Sequence, residues 1–357
     1  MIVLMSNNIS TLEKEELYKL DSFFKIQFRG GYRYGTLGYF FWKIFLNPFG
    51  KGFVSLIKKE SEIVATTSIT ARFLMLNQKK ISVAEIGDTY TDLKFQGRGY
   101  FSSLVNESCD LAESNGIKLI YGTPNNQSLP AYLKNTSFKK LPFLDLRSFS
   151  YILRVDHILS PKIGRTFSGL LNIIFSLFVY LHNIFLKYYV SDNKDCKIEN
   201  VVKLPSDWDQ FWNDGSKQWD FIFCRDTESV QWRFFSTPEK YSFLIVRSAE
   251  RIVGYVVYKV IPDVHRSTLT IADFLFLEGF ELEFSKCLKL IRKTGMSANI
   301  SSIALWCDSK SVYSQILKKN GFICGSTFPV IFNKVDISEE LIIPKRVHFT
   351  LSYSDII

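Results

Sequence analysis

Apolar and β-branched residues alternate over residues 53–57 and 63–69 on either side of the polar turn 58–62, a pattern that predicts a β-hairpin. Residues 71–76 and 81–91 predict a second hairpin about Asn77-Gln78-Lys79-Lys80. A glycine-bearing turn follows, then a helix over about residues 99–115 closed by Gly116, a strand at 118–121 and a helix starting near Asn126. The second half repeats this order. Residues 243–247 and 252–260 pair about a polar turn, 268–277 is the next strand, 281–293 a helix, 302–306 a strand and 309–319 a helix closed by Asn320-Gly321-Phe322. Two copies of one β-β-β-α-β-α-β unit are expected. The fold class is α/β (α+β): two tandem domains, each a mixed, mostly antiparallel sheet flanked by helices. Their expected limits are 1–155 and 201–357, with an apolar helix and linker over 156–200.

That linker departs from the rest of the pattern. No formal charge lies between Arg165 and Lys187, and the run from Leu170 to Leu186 is nearly long enough to span a bilayer. Asn172, Ser176, His182 and Asn183 interrupt it, so a helix buried between the two domains is the preferred expectation over a transmembrane span. Peripheral membrane contact through 166–186 is the third reading. His182 is expected to be a hydrogen-bonded helix residue rather than a catalyst.

With 357 residues the chain is long enough for two ordinary domains, and its 32 phenylalanines point to crowded cores or ring-lined pockets. The net charge of +9 favours an anionic partner, but the basic residues are scattered, which weighs against a nucleic-acid stripe. Six cysteines lie far apart, with no C-x-x-C pair and no histidine at ligand spacing, so neither a metal site nor a disulfide framework is indicated. The start of the chain lacks a basic segment followed by a long apolar run, and a cytoplasmic protein is expected. His157, His265 and His348 show no spacing that marks a catalytic pair.

The stretch Gln96-Gly97-Arg98-Gly99-Tyr100-Phe101 carries the candidate chemistry. Two glycines between a strand and a helix let backbone N–H groups converge on a phosphate oxygen without a side-chain charge. The turn lacks the lysine and hydroxyl of a nucleotide-hydrolysing P-loop and the three-glycine dinucleotide fingerprint. The second copy has Leu277-Glu278-Gly279-Phe280 there, with a carboxylate where phosphate has to sit. One phosphate site, in the first half, is therefore expected.

These residues resemble the GNAT superfamily of acyl-CoA-dependent N-acyltransferases, whose signature is a strand followed by Q/R-x-x-G-x-G/A. Residues 96–101 fit it except at Phe101. A second family motif, from Asn to a Gly-Phe pair, matches at Asn126 and Phe138, with Ser137 in place of glycine. More narrowly, Asn47-Pro48-Phe49-Gly50 within residues 42–50, Gly87-Asp88-Thr89, Pro124-Asn125-Asn126 and Trp232-Arg233 with Pro238 and Tyr241 are similar to tandem-GNAT sugar N-acyltransferases of the FdhC type.

The resemblance implies transfer of an acyl group, acetyl or larger with 3-hydroxybutanoyl among the choices, from acyl-CoA to a dTDP-3-amino-3,6-dideoxyhexose for surface polysaccharide. It implies that Gln96, Gly97, Arg98, Gly99, Tyr100, Phe101 and Ser102 receive the coenzyme A pyrophosphate. Tyr90, Thr91 and Asp92 meet the pantetheine arm through their main chain, and Asn126 contacts the cofactor or caps a helix. Asp88 and Glu85 are the candidate bases, Asp88 preferred because Gly87 permits a bulge there. Leu133 stands where the family often has a tyrosine acid, and Tyr132 lies about a hundred degrees round the helix. Trp42, Lys43, Asn47, Tyr121, Asn125, Trp232 and Arg233 are the candidate acceptor contacts. The competing readings are an aminoacyl transfer protein of the peptidoglycan cross-bridge (FemABX-like) type and a non-catalytic binding or membrane-associated module.

Overall fold

The computed structural model describes residues 9–11, 13, 16–27, 38–50, 52–189, 195–262, 266–334 and 344–354. His265, the chain start and most of the polar run after residue 190 lie outside the described residues. The first sheet contains β1 (Ile9–Thr11), β2 (Phe53–Lys59), β3 (Glu62–Leu76), β4 (Lys79–Thr91), β5 (Leu119–Gly122) and β6 (Lys139–Lys140). The second begins with β7 (Leu146–Ile152) and β8 (Cys196–Val201). β9 (Phe221–Phe223) returns to the first sheet. β10 (Ser242–Ser248), β11 (Arg251–Ile261), β12 (Thr268–Phe276), β13 (Ser302–Asp308) and β14 (Ile323–Thr327) belong to the second. β15 (Ile331–Lys334) and β16 (Val347–His348) close the first.

Both sheets carry the same order. β2-β3-β4-β5-β15-β6 in the first corresponds to β10-β11-β12-β13-β7-β14 in the second, with β4–β5 and β12–β13 parallel and the other ladders of these two series antiparallel. The last strands are exchanged. β7 leaves the first half to pair with β13, and β15 leaves the second half to pair with β5, so each sheet is completed by the other half of the chain.

The long strand β3 merges two expected strands, because residue 70 continues the ladder to β4 without a break. The helix Tyr100–Ser114 packs Val105, Cys109 and Ala112 on Ala84, Ile86 and Ile120, while the helix Leu17–Gln27 and residues 39–44 cover another part of the first sheet. The second sheet is covered by the helices Glu283–Ser297 and Val312–Lys319 on one side and Trp208–Ser216 on the other. A single cluster joins the sheets: Leu74, Val83 and Tyr121 from the first, Trp208, Phe243 and Tyr255 from the second, and Phe349 and Tyr353 near the chain's end.

The apolar linker forms the helices Asp156–Ile163 and Arg165–Tyr189. The expectation of burial between two domains is corrected. Among the described side chains of the longer helix, Ser168, Asn172, Phe175, Val179 and His182 dock on the protein, whereas Phe167, Leu170, Ile173, Ile174, Leu177, Phe178, Leu181 and Ile184 are exposed. No helix among the described residues is long and apolar enough to cross a membrane. His182 accepts or shares a hydrogen bond with the Tyr151 hydroxyl at 3.2 Å, the structural role expected for it.

Candidate active site

β4 and β5 run in parallel register only through Val83–Leu119, Ala84–Ile120 and Glu85–Tyr121. Beyond Glu85 they splay. β4 continues to Thr91 while β5 ends at Gly122, which sits close against Ile86: a Cβ there would meet Ile86 Cγ2 at 3.0 Å and Ile86 O at 3.2 Å. Residues 86–91 make no ladder to β5, and where Thr89, Tyr90 and Thr91 line the opening an extended ligand can lie alongside as another strand.

At the mouth of this wedge lies a cleft of about 680 Å³. It is lined by Thr89, Tyr90 and Thr91, by Leu93, Phe95, Gln96, Gly97 and Gly99, by Tyr100, Phe101 and Ser102, and by Asn125, Gln127, Ser128, Ala131 and Asn135. Gly97 and Gly99 have φ of 75° and 78°, the left-handed region that glycine enters without strain, and space around both is open. Gly99 N-caps the helix Tyr100–Ser114, which has no side-chain cap and no acidic residue in its first turn. Its first N–H groups therefore lack intrahelical partners and point outward with the positive end of the helix dipole. Gln96 Nε2 donates to Thr91 O at 3.1 Å and braces the turn. This cradle fits a pyrophosphate: open, uncapped and free of carboxylates in the helix's first turn.

Asp92 and Arg98 do not line the cleft. Asp92 accepts from Lys94 N at 2.8 Å and starts a single 3-10 turn, and the Arg98 guanidinium lies 5.1 Å from the Phe95 ring centroid. Asn126 does not line it either. Asn125 takes the capping role, its Oδ1 accepting from Gln127 N and Ser128 N at 2.9 Å each, just ahead of the helix Leu129–Asn135.

Sequence reasoning missed a string of hydroxyls at the same place. Tyr132, buried against Phe101 and Phe138, shares a hydrogen bond of 2.8 Å with Thr89 Oγ1, which in turn meets Thr67 Oγ1 at 2.7 Å. Leu133, at the position where the resemblance implies a tyrosine, is exposed. The signal was in the helix: one position earlier than the family spacing, Tyr132 turns inward and Leu133 outward.

The ladder between β3 and β4 shifts register between Thr66 and Ser68, and Asp88 takes φ of 48°, so the bulge permitted by Gly87 is present. Asp88 Oδ2 accepts from Lys43 Nζ and Ser68 Oγ, both at 2.7 Å. Glu85 is paired with Arg72 at 3.3 Å, and the Arg72 guanidinium lies 4.8 Å from the Trp232 ring centroid. All four charged groups are buried, the charges cancel, and neither carboxylate lines the cleft.

Of the residues expected to contact an acceptor, Asn125 lines the cleft and the others are packed scaffold. Trp42 and Trp232 stack at 4.5 Å and 15°, and each indole N–H donates to the other's carbonyl, at 3.0 and 3.3 Å. Arg233 lies over Trp42, and Tyr121 packs between Phe223 and Phe349. Asn47 closes a turn by accepting from Phe49 N and donating to Ala71 O. Two buried tryptophans that stack on each other leave no slot for a nucleotide base between them.

The second sheet holds a matching wedge. β12 and β13 pair only through Thr268–Ser302, Leu269–Ile303 and Thr270–Ala304. Beyond that point the chain's own segment Val347–Ser354 packs against both strands. His348 Nε2 donates to Phe274 O at 2.7 Å, and Thr350 Oγ1 donates to Asp273, which Arg225 grips through two bonds of 2.9 and 3.0 Å. The segment ends at Ser354, whose hydroxyl meets Thr123 Oγ1 beside the first wedge at 2.6 Å.

Residues 24–135 match the model of the acetyltransferase (GNAT) domain. No curated protein sequence matches the chain. The structure is similar to a GCN5-related N-acetyltransferase from Anabaena variabilis ATCC 29413, with TM-score 0.62 and 11% identity over 92% of this chain and 72% of that one. A probable N-acyltransferase from Enterococcus faecalis V583 gives 0.58 and 13% over 92% and 72%. Saccharomyces cerevisiae N-myristoyltransferase with bound myristoyl-CoA gives 0.63 and 11% over 94% and 80%. At such identities the likeness bears on fold, and it extends over both halves of the chain. Residues 24–135 thus match an acetyltransferase (GNAT) domain, and the fold of the whole chain is that of these N-acyltransferase structures.

Proposed function

We propose that the chain transfers an acyl group from acyl-CoA, held in the β4–β5 wedge, to the amine of a nucleotide-linked amino sugar, with a dTDP-3-amino-3,6-dideoxyhexose as the model acceptor. The observation that carries the donor half is the helix start at Gly99, which has no side-chain cap and opens on the wedge where β5 parts from β4. The acceptor class rests on the sequence resemblance at residues 42–50, Gly87-Asp88-Thr89 and Pro124-Asn125-Asn126.

The donor supplies an activated thioester, and the protein orients it. Backbone N–H groups of residues 97–102 hold the pyrophosphate, the edge of residues 86–91 lines up the arm, and an N–H at the bulge near Tyr90 faces the developing oxyanion. Asp88 and Glu85 are each committed to a buried ion pair and lie outside the cleft lining. Asp88 therefore sets the bulge, and the amine's proton leaves to water. The Tyr132 hydroxyl, bonded to Thr89 on the cleft wall, gives a proton to the departing sulfur and recovers one through Thr89 from water in the cleft.

Thiol release measured with acetyl-CoA and a panel of amines tests this reading. The nucleotide amino sugar should support turnover where free amino acids, a charged tRNA and the unlinked sugar do not. Coenzyme A binding without turnover on any amine contradicts the acceptor assignment, and no coenzyme A binding at all favours a non-catalytic module. Tyr132→Phe should lower kcat by about a hundredfold with the KM for acyl-CoA nearly unchanged. A KM rise with unchanged kcat contradicts the acid role.

A further inference from the structure

The helix Arg165–Tyr189 is amphipathic in the wrong sense for a solvent-facing helix. Its protein-facing stripe holds the polar residues: Ser168 is buried, Asn172 Oδ1 accepts from Val155 N at 2.9 Å, and His182 meets Tyr151. The opposite stripe, at spacings of three and four, is Phe167, Leu170, Ile174, Leu177, Leu181 and Ile184, all exposed. Ile173 and Phe178 flank it at 68% and 62% exposure. A helix of 25 residues, about 37 Å long, thus turns a continuous apolar face outward, more than solvent alone accounts for.

The charge around the stripe says what covers it. Lys162 precedes it, Arg165 and Lys187 bound it, and exposed Lys318 and Lys319 lie just before Gly321, which packs on His182. No carboxylate occurs between Asp156 and Asp192. Two copies placed face to face on this helix would bring together segments whose formal charges are all positive between residues 157 and 191. Apart from the exposed hydroxyls of Thr166 and Tyr180 at its margin, the described side chains of this face are apolar, unlike the polar rim and hydrogen bonds of a protein interface. An anionic lipid surface supplies the countercharge and asks for no hydrogen bonds.

We propose that this helix lies in the plane of an anionic bilayer surface, docked to the second sheet by one stripe and to the lipid by the other. The acyltransferase would then work at a membrane face without crossing it. The inference stands independently of the acceptor proposed above.

Vesicle flotation of the full chain tests it, with phosphatidylcholine alone and with phosphatidylcholine plus phosphatidylglycerol. The chain should float with the anionic vesicles, at least about tenfold more than with the neutral ones, and high salt should weaken the binding. The triple variant Ile173→Gln, Leu177→Gln, Phe178→Gln should remain in the soluble fraction. Coenzyme A affinity, measured on the same samples, reports that the variant is folded. Wild-type protein that does not float, or a variant that floats as well as the wild type, overturns the proposal. So does a wild-type dimer that the same substitutions dissociate in the absence of vesicle binding.

Discussion

Asp88 adopts a left-handed backbone conformation at a cost of about 1–3 kcal/mol, and the bonds from Lys43 and Ser68 to its carboxylate hold it there. Lys43 is 1% exposed, so Asp88→Asn leaves a buried ammonium without its counter-charge. That change should destabilise the fold by about 3–5 kcal/mol in urea titrations, and Lys43→Met added to it should restore most of the loss. An unaltered midpoint for Asp88→Asn would mean the pair does not hold the bulge. Gly99 works in the other direction, with open space and φ of 78°. Gly99→Val should weaken coenzyme A binding about tenfold or more by calorimetry, at a strain cost of only about 1–2 kcal/mol. Equal affinity would show that the turn serves only as a turn.

The indole pair shows an element-scale device that each local sequence hides. Trp42 lies in the π-helical turn Phe41–Phe45 and Trp232 in the π-helical turn Gln231–Phe235, and both are followed by a cation, an aromatic three residues on and a proline three beyond that. The repeated unit therefore includes these turns as well as the strands. Each tryptophan caps the other's carbonyl, so the two contribute as one contact. Trp42→Ala and Trp232→Ala should each cost about 3–5 kcal/mol, and the double variant clearly less than their sum. Strict additivity in the double-mutant cycle would contradict the reciprocal packing. The strand order and the glycine turn were legible because alternation and positive-φ glycine are local properties. The indole pair was not, since its partners lie 190 residues apart and only the fold brings them together. The exchange of β7 and β15 was hidden for the same reason: each is a short strand by pattern, and only the ladder says which sheet takes it.

Across the whole molecule one strand order appears twice, with an open wedge in the first sheet and a filled one in the second. The first wedge keeps its glycine turn; the second has Glu283 in its helix's first turn and the segment Val347–Ser354 against its strands. The sequence expectation rested on Glu278 at the turn; the first-turn carboxylate of the helix is Glu283, and the plug comes from far along the chain. His348 makes the closure pH-sensitive. Burial holds its pKa down at about 3, against an ordinary value near 6.5. The unfolded chain therefore binds the extra proton between those values, so this contribution is whole above about pH 6.5 and is lost as the pH falls towards 3. Melting temperatures should drop between pH 7 and 5 by a margin that His348→Gln removes, with the glutamine amide replacing the donor to Phe274. An identical pH slope in the variant would contradict this.

The central claim is that main-chain amides at the start of the helix Tyr100–Ser114 hold the donor in the splay of β4 from β5. A crystal structure of the chain with coenzyme A tests it most directly. The account predicts the pyrophosphate oxygens within about 3 Å of the N–H groups of residues 97–102, with the arm alongside residues 86–91. A coenzyme A molecule bound elsewhere, with this turn empty, would contradict it.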